Sequence, residues 1–125
     1  MKTVTDLVTE FHKAYGCEIG NDHFEFPEGD ELASLRSRLI KEEYKEVKEA
    51  MADGDSEETL KELCDLVYVA VGTAVAFGWD FDGAFAEVHR SNLSKLGEDG
   101  KPVRREDGKI LKGPNYSPAD MREFI

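Results

Sequence analysis

Five carboxylate side chains, arranged in two short motifs, are the residues of this sequence best suited to chemistry. Glu42, Glu43 and Glu46 form an E-E-x-x-E motif, and Glu62 and Asp65 form an E-x-x-D motif. At about 100° per residue, each motif would lie on one face of a helix. Carboxylate oxygens are the ligands that Mg²⁺ and Mn²⁺ prefer, so the motifs predict a site for divalent cations.

The spacing of the motifs around Gly54 predicts that they meet. Helices joined by so short a turn run antiparallel, and residues equally far from the turn face each other. Glu46 and Glu62 each stand eight residues from Gly54, and Glu43 and Asp65 each stand eleven. Converging carboxylates repel unless cations neutralise them or protons bind. The pattern therefore favours a cation site over an ordinary solvated acidic face.

A di-iron carboxylate centre is the alternative that the histidines exclude. Such a centre needs a Glu-x-x-His motif on two helices. None of His12, His23 and His89 has a glutamate three residues earlier. Mg²⁺, with Mn²⁺ as a substitute, is the expected cofactor.

The hydrophobic spacing predicts four helices, which would position these residues. They extend from about Thr3 to Tyr15, from near Asp30 to Asp53-Gly54, from a cap at Ser56 to Gly78, and from a cap at Asp80 to about Leu96, where Gly97 would adopt a left-handed stop. An irregular loop from Gly16 to Gly29 would join the first two helices. The expected fold is an all-α four-helix bundle.

The sequence after Gly97 changes character. The segments Pro102–Glu106 and Lys109–Lys112 flank Asp107-Gly108, which is a signal for a two-residue hairpin turn. We therefore expect a short C-terminal β-hairpin within an irregular tail. With 125 residues in total, the chain fits one domain spanning residues 1–125.

Apolar and aromatic side chains give two further expectations. The third helix should bury one face, formed by Leu60, Leu63, Cys64, Val67, Tyr68, Val71 and Val75. Aromatic rings at helix ends or in loops could stack on a nucleobase, and the candidates are Phe11, Tyr15, Phe24, Trp79 and Phe81.

Charge and composition exclude several classes of protein. A net charge of -11 disfavours binding to nucleic acid. The longest apolar stretch, from Val67 to Phe77, is shorter than the roughly 20 residues that span a bilayer. No secretory signal is visible, and Cys17 and Cys64 are the only cysteines, so we expect a cytoplasmic protein.

Three segments of the sequence resemble one family of enzymes. E-E-Y-K-E at Glu42–Glu46 and E-L-C-D at Glu62–Asp65 resemble the motifs of the MazG-like all-α nucleoside triphosphate pyrophosphohydrolases. N-L-S-K-L from Asn92 is similar to the downstream N-x-x-K segment of that family. This superfamily includes dimeric dUTPases and phosphoribosyl-ATP pyrophosphohydrolases. The segments around Asn92 and Tyr116 also resemble a bacterial and phage subset.

The resemblance implies hydrolysis of a (deoxy)nucleoside triphosphate to the monophosphate and pyrophosphate. It implies metal ligands at Glu42, Glu43, Glu46, Glu62 and Asp65. Glu42 and Glu43 would be catalytic, with Glu42 bridging cations or accepting the proton of the attacking water. Uracil and guanine are the favoured bases, so dUTP and dGTP are the leading substrates. A homodimer or a dimer of dimers is also implied.

The basic residues would hold the phosphates. The segment Arg90–Lys112 carries seven basic and four acidic residues, a net +3 in a chain that is otherwise strongly acidic. The resemblance places Asn92 and Lys95 beside the metal ligands, and Lys112 is a further candidate for binding substrate. Two alternatives remain open, namely phosphoribosyl-ATP pyrophosphohydrolysis and a non-catalytic helical interaction module.

Overall fold

The computed structural model describes residues 1–20 and 31–125. Within them lie four α-helices, a two-stranded hairpin and a single 3-10 turn. The elements are α1 (Val4–Tyr15), α2 (Glu31–Ala52), α3 (Ser56–Phe77), α4 (Phe81–Leu93), β1 (Val103–Arg104), β2 (Ile110–Leu111) and the 3-10 turn Arg122–Phe124. The predicted all-α class with a short C-terminal hairpin is confirmed. The predicted helix start at Asp30, the candidate Phe24 and most of the predicted loop lie outside the described residues.

Side-chain caps fix the ends of α1 and α3. Thr3 Oγ1 accepts a hydrogen bond from Asp6 N at 3.1 Å, and Asp6 Oδ2 accepts one from Thr3 N at 2.8 Å. The predicted cap at Ser56 is wrong, because Asp55 Oδ1 accepts from Glu58 N at 3.0 Å and Ser56 is already helical. A carboxylate in this position also interacts favourably with the helix dipole. Gly78 ends α3 as predicted, at a φ of 76°.

The end of α4 differs from the prediction. The helix stops at Leu93. The backbone N–H groups of residues 94–96 each donate to the carbonyl three residues earlier, which is the 3-10 pattern. Gly97 is not a left-handed stop. Its carbonyl accepts from Gly100 N at 2.9 Å, and the positive φ of 73° belongs to Gly100. Gly97 therefore opens the turn that follows the helix.

The hairpin pairs Val103 with Leu111 and Arg104 with Ile110. Its turn is longer than the predicted two residues. Gly108 N donates to the carbonyl of Arg105 at 2.9 Å, and Gly108 has a φ of 89°. Gly108 thus occupies the left-handed position that follows a type I turn and is not at the turn's centre.

The described residues form two compact units, Met1–Phe81 with Ile125, and Asp82–Phe124. In the first unit, α2 packs along α3, and α1 packs on α3. Val8, Val71 and Val75 form the centre of the core, and Ile19 and Phe81 pack against it. This unit carries both carboxylate motifs.

Much of the apolar face of α3 is not buried. Val71 and Val75 are buried as predicted, but Leu60, Leu63, Cys64, Val67 and Tyr68 are exposed. The prediction is wrong for these five residues because α1, with 12 residues against 22 in α3, covers only part of that face. None of the helices within residues 1–20 and 31–125 has the length and apolar character needed to cross a bilayer.

Candidate metal centre and adjoining cavity

Four carboxylates from two helices converge in the first unit. Glu43 and Glu46 come from α2, and Glu62 and Asp65 come from α3. One oxygen from each lies within 4.8 Å of those of the other three. Glu62 is buried, with 4% of its surface exposed, while Glu43 and Asp65 are half-buried. These four residues, called the carboxylate cluster below, meet as their equal spacing around Gly54 predicts.

Glu42 is not part of this cluster. Its side chain is exposed and lines a separate surface pocket with Lys41, Tyr44, Lys45 and Lys48. The helix turns about 100° between Glu42 and Glu43, which directs Glu42 away from α3. Its role as a bridging ligand or proton acceptor stays a prediction.

Two oxygens of the cluster lack a hydrogen-bond donor. Within residues 1–20 and 31–125, Oε2 of Glu43 and Oε2 of Glu62 are buried without any partner. A buried carboxylate oxygen left in this state is costly. A hard divalent cation bound by carboxylate oxygens would remove that cost, so the donor set fits Mg²⁺ or Mn²⁺.

Lys61 gives the cluster its one ion-pair partner within the described part of the chain. Its Nζ lies 3.2 Å from Glu62 Oε1 and 2.8 Å from Asp65 Oδ2. The two carboxylates raise the pKa of Lys61, so the ammonium stays charged. One cation cannot balance four carboxylates. Because 61% of the Lys61 side chain is exposed, it can turn outward when a metal binds.

The remaining charge is offset by protons. A hydrogen bond between the carboxyls of Glu46 and Glu62, together with repulsion from Glu62 and Glu43, raises the pKa of Glu46 to about 7. A hydrogen bond with Glu62 also raises the pKa of Glu58. The pKa of Glu62 is lowered by the same bond from Glu58. Without metal, neighbouring carboxyls therefore share protons with Glu62.

We expect the metal-free protein to lose stability as pH rises from about 5 to about 8. The folded state holds a proton on Glu46 that the unfolded state releases near its ordinary pKa of 4.5. The stability that this proton contributes is present at low pH. It is lost as the pH rises through the pKa of Glu46 in the folded state. The melting temperature, followed by circular dichroism in EDTA, measures the effect.

The matched variants for this measurement are Glu46→Gln and Glu49→Gln. Glu49 is exposed on the same helix, 4.0 Å from Lys45, so its variant corrects for general repulsion in an acidic protein. Glu46→Gln should flatten the pH dependence, and Glu49→Gln should not. Equal pH dependence in the two variants would contradict the shared-proton interpretation.

A cavity of about 550 Å³ adjoins the carboxylate cluster. Glu43 and Asp65 belong both to the cluster and to the cavity wall. Phe11 and Tyr68 also line the cavity, with ring centroids 5.5 Å apart and rings at 90°. A mainly apolar cavity of this size, with a few polar groups, is typical of sites for small ligands.

Of the aromatic residues predicted to stack on a base, Phe11 is the one that lines this cavity within the described residues. Tyr15 packs on Phe11 at 4.6 Å but is itself exposed. Trp79 stacks on Phe77 at 5.2 Å, and Phe81 packs against the core. Tyr68 was expected only in the core, because its helical spacing does not distinguish a core wall from a cavity wall.

The predicted substrate-binding residues Asn92, Lys95 and Lys112 belong to the second unit. The carbonyl of Lys95 accepts from Gly113 N at 2.8 Å, which holds the end of α4 near the strand that leads to Lys112. The Lys112 ammonium lies 4.8 Å from the centre of the Tyr116 ring. The contacts of these three residues with a substrate stay predictions.

The fold and the site define a class of helical proteins in which a carboxylate cluster suited to a divalent cation adjoins a mainly apolar cavity. Residues 8–92 match the model of the phosphoribosyl-ATP pyrophosphohydrolase family, and the chain belongs to that family. The family is named for a pyrophosphohydrolase, which is a hydrolase that acts on acid anhydrides. The predicted resemblance to MazG-like proteins is confirmed.

A viral protein is also similar to this chain. It is the uncharacterized protein L479 of Acanthamoeba polyphaga mimivirus, which is 30% identical over 97 residues. The alignment covers 76% of this chain and 36% of the viral protein, so the chain spans about a third of the length of that relative.

Proposed function

We propose that the protein hydrolyses a (deoxy)nucleoside triphosphate to the nucleoside monophosphate and pyrophosphate, and that Mg²⁺ is required, with Mn²⁺ as a substitute. The observation that carries the proposal is the carboxylate cluster, which has two buried, unpartnered oxygens and opens on a cavity. dUTP and dGTP are the favoured substrates.

Each residue of the cluster has a defined role in this proposal. Glu43, Glu46, Glu62 and Asp65 would hold the cations. A divalent cation supplies charge neutralisation for phosphate oxygens and lowers the pKa of water. Glu43, which reaches both the cluster and the cavity, is placed to orient the attacking water and accept its proton. Glu42 is proposed as a second proton acceptor or bridging ligand, a role that requires its exposed side chain to turn toward the cluster.

Phosphoribosyl-ATP is the alternative substrate, because the family match over residues 8–92 carries that name. Both reactions cleave the same type of phosphoanhydride bond and would use the same cluster. A non-catalytic helical module is disfavoured, because buried carboxylates without partners destabilise a protein that has no use for them.

A substrate panel tests the proposal. Ribo- and deoxynucleoside triphosphates and phosphoribosyl-ATP are incubated with Mg²⁺ or Mn²⁺, and monophosphate and pyrophosphate are quantified. Turnover of free triphosphates supports the proposal. Turnover of phosphoribosyl-ATP alone would replace it with the alternative. Release of inorganic phosphate and a diphosphate would contradict both.

The exposed apolar residues on α1 and α3 support the proposal of a homodimer or a dimer of dimers. Leu7, Leu63 and Val67 are all more than 40% exposed and line one shallow apolar groove with Cys64. A contiguous apolar surface of this kind is typical of protein interfaces. A cytoplasmic location and the absence of nucleic-acid binding also belong to the proposal.

Lys95→Met and Lys112→Met should each raise the KM for the triphosphate about 5- to 50-fold, because each removes a charge-assisted contact with phosphate. Lys101→Met is the matched control, since Lys101 is an exposed lysine of the same unit with no predicted phosphate contact. Steady-state kinetics measures the change. Equal KM values in all three variants would remove Lys95 and Lys112 from the substrate site.

A further inference from the structure

Arg36 is a buried charged residue that the site described above does not use. Only 8% of its surface is exposed, and it lines the same cavity as Glu43 and Asp65. Its Nε donates to Thr73 Oγ1 at 3.2 Å, and one Nη donates to the carbonyl of Val69 at 2.9 Å. In the part of the chain that the structure describes, no carboxylate pairs with it.

These contacts leave part of the guanidinium free. A guanidinium has five N–H groups, and two are used by Thr73 and Val69. Burial lowers the pKa of Arg36, which reflects the cost of a charge without a counter-ion. The remaining N–H groups can donate to an acceptor on a ligand in the cavity that Arg36 lines.

His12 places a hydrogen-bond acceptor beside the donors of Arg36. It is 3% exposed, and its Nδ1 lies 2.8 Å from the carbonyl of Glu18. A carbonyl only accepts, so Nδ1 carries a proton, and Nε2 is an acceptor in the tautomer that this contact selects. Gly72 makes room for both, because a methyl group there would overlap the Arg36 guanidinium and lie 3.0 Å from His12 Nε2.

The position of Arg36 relative to the carboxylate cluster matches the length of a nucleoside. Arg36 precedes Glu43 by seven residues, which places them on one face of α2 and about 10 Å apart along its axis. With phosphates held at the cluster, a base extending along the cavity would reach Arg36 and His12. Phe11 and Tyr68 would contact its ring or sugar.

We infer that Arg36 and His12 select nucleotides whose base carries an oxo group next to a ring N–H, as in uracil, thymine, guanine and hypoxanthine. The guanidinium donates to the oxo oxygen, and His12 Nε2 accepts from the ring N–H. Cytosine and adenine present an amino group and a ring lone pair at these positions, which places a donor against the guanidinium and an acceptor against His12 Nε2. This inference rests on the proposed function, because it assumes phosphates at the cluster.

Two pairs of nucleotides isolate this edge of the base. dUTP differs from dCTP, and dITP from dATP, only in the oxo and amino groups and the adjoining ring nitrogen. The wild-type protein with Mg²⁺ should show a kcat/KM at least ~10-fold higher for the oxo member of each pair. Equal kcat/KM values within both pairs would overturn the inference while leaving the hydrolase activity intact.

Arg36→Met should bring the kcat/KM values of the two members of each pair to within about 3-fold of each other. The main reason is that the oxo substrates lose the hydrogen bond from the guanidinium. Arg38→Met is the matched control, since Arg38 is exposed on the same helix and should keep the preference. Tripolyphosphate serves as the base-free probe. If Arg36→Met weakens its inhibition as much as it weakens dUTP binding, Arg36 binds phosphate and the inference is wrong.

Alkylation of Cys17 provides a readout that does not need turnover. Cys17 lines the cavity, and Cys64→Ser removes the other free thiol. dUMP should slow alkylation of Cys17 more than dCMP does. If no triphosphate is hydrolysed but this difference is present, the proposed function fails and base selection stands. Equal protection would overturn base selection, whether or not Arg36→Met folds.

Discussion

Removal of divalent cations with EDTA should abolish pyrophosphate release, and Mg²⁺ or Mn²⁺ should restore it. The four carboxylates of the cluster lie within 4.8 Å of one another, and Lys61 is their single ion-pair partner in the described residues. Without a cation, a triphosphate would bring further negative charge to an already repulsive site. Lys61 alone would then offset charge within the cluster, and no cation would lower the pKa of the attacking water.

The same metals should raise the melting temperature of the wild-type protein in the absence of substrate. Binding to the folded state alone stabilises it by mass action, and here the cation also satisfies the unpartnered oxygens of Glu43 and Glu62. Glu49→Gln should respond to metal as the wild type does. Full activity in excess EDTA, after prior removal of bound metal, would contradict a metal role for the cluster.

The carboxylate cluster could be predicted from sequence because it depends on two regular features. The helical repeat gives each motif one face, and equal spacing around Gly54 brings the two faces to the same level. Neither feature depends on details of packing. Glu42 shows the limit of the motif, since the E-E-x-x-E pattern alone does not say which glutamate turns away from α3.

The cavity residues could not be predicted in the same way. Arg36 interrupts the apolar stripe of α2 seven residues before Glu43, which is a signal for a buried cation on the functional face. Its partners, Val69 and Thr73, are distant in sequence and follow from how α2 packs on α3. His12 was considered only as a metal ligand, whereas its contact with Glu18 depends on the chain beyond α1.

The burial of the α3 face and the start of α3 were predicted only in part, because both depend on contacts that spacing does not show. The spacing of Leu63 and Val67 shows that they share a face with Val71, but it does not show whether another helix covers that face. The start of α3 required a choice between Asp55 and Ser56, both of which can act as caps. The hydrogen bond from Glu58 N to Asp55 decides it.

Glu46→Gln should reduce turnover by at least ~10²-fold while making the metal-free protein more stable above pH 7. The loss of activity follows because the substitution removes one of the four charges that would hold the cation. The gain in stability follows because the hydrogen bond with Glu62, together with repulsion from Glu62 and Glu43, raises the pKa of Glu46 to about 7, so the ionised form is unfavourable in the fold. A neutral amide avoids that repulsion at every pH.

Asp65→Asn separates the two effects. It should reduce turnover by a similar factor, at least ~10²-fold, because it also removes a ligand charge. It should not stabilise the metal-free protein, because Asp65 already pairs with Lys61 Nζ at 2.8 Å and the substitution removes that attraction. Glu49→Gln, on the exposed face of α2, is the control for both.

Steady-state kinetics and thermal melts in EDTA at pH 8 measure the turnover and the stability of these variants. Turnover near that of the wild type in both ligand variants would assign these carboxylates to an ordinary charged surface. If both variants lose turnover but change stability equally, the metal site would stand. The different charge environments derived for Glu46 and Asp65 would then be wrong.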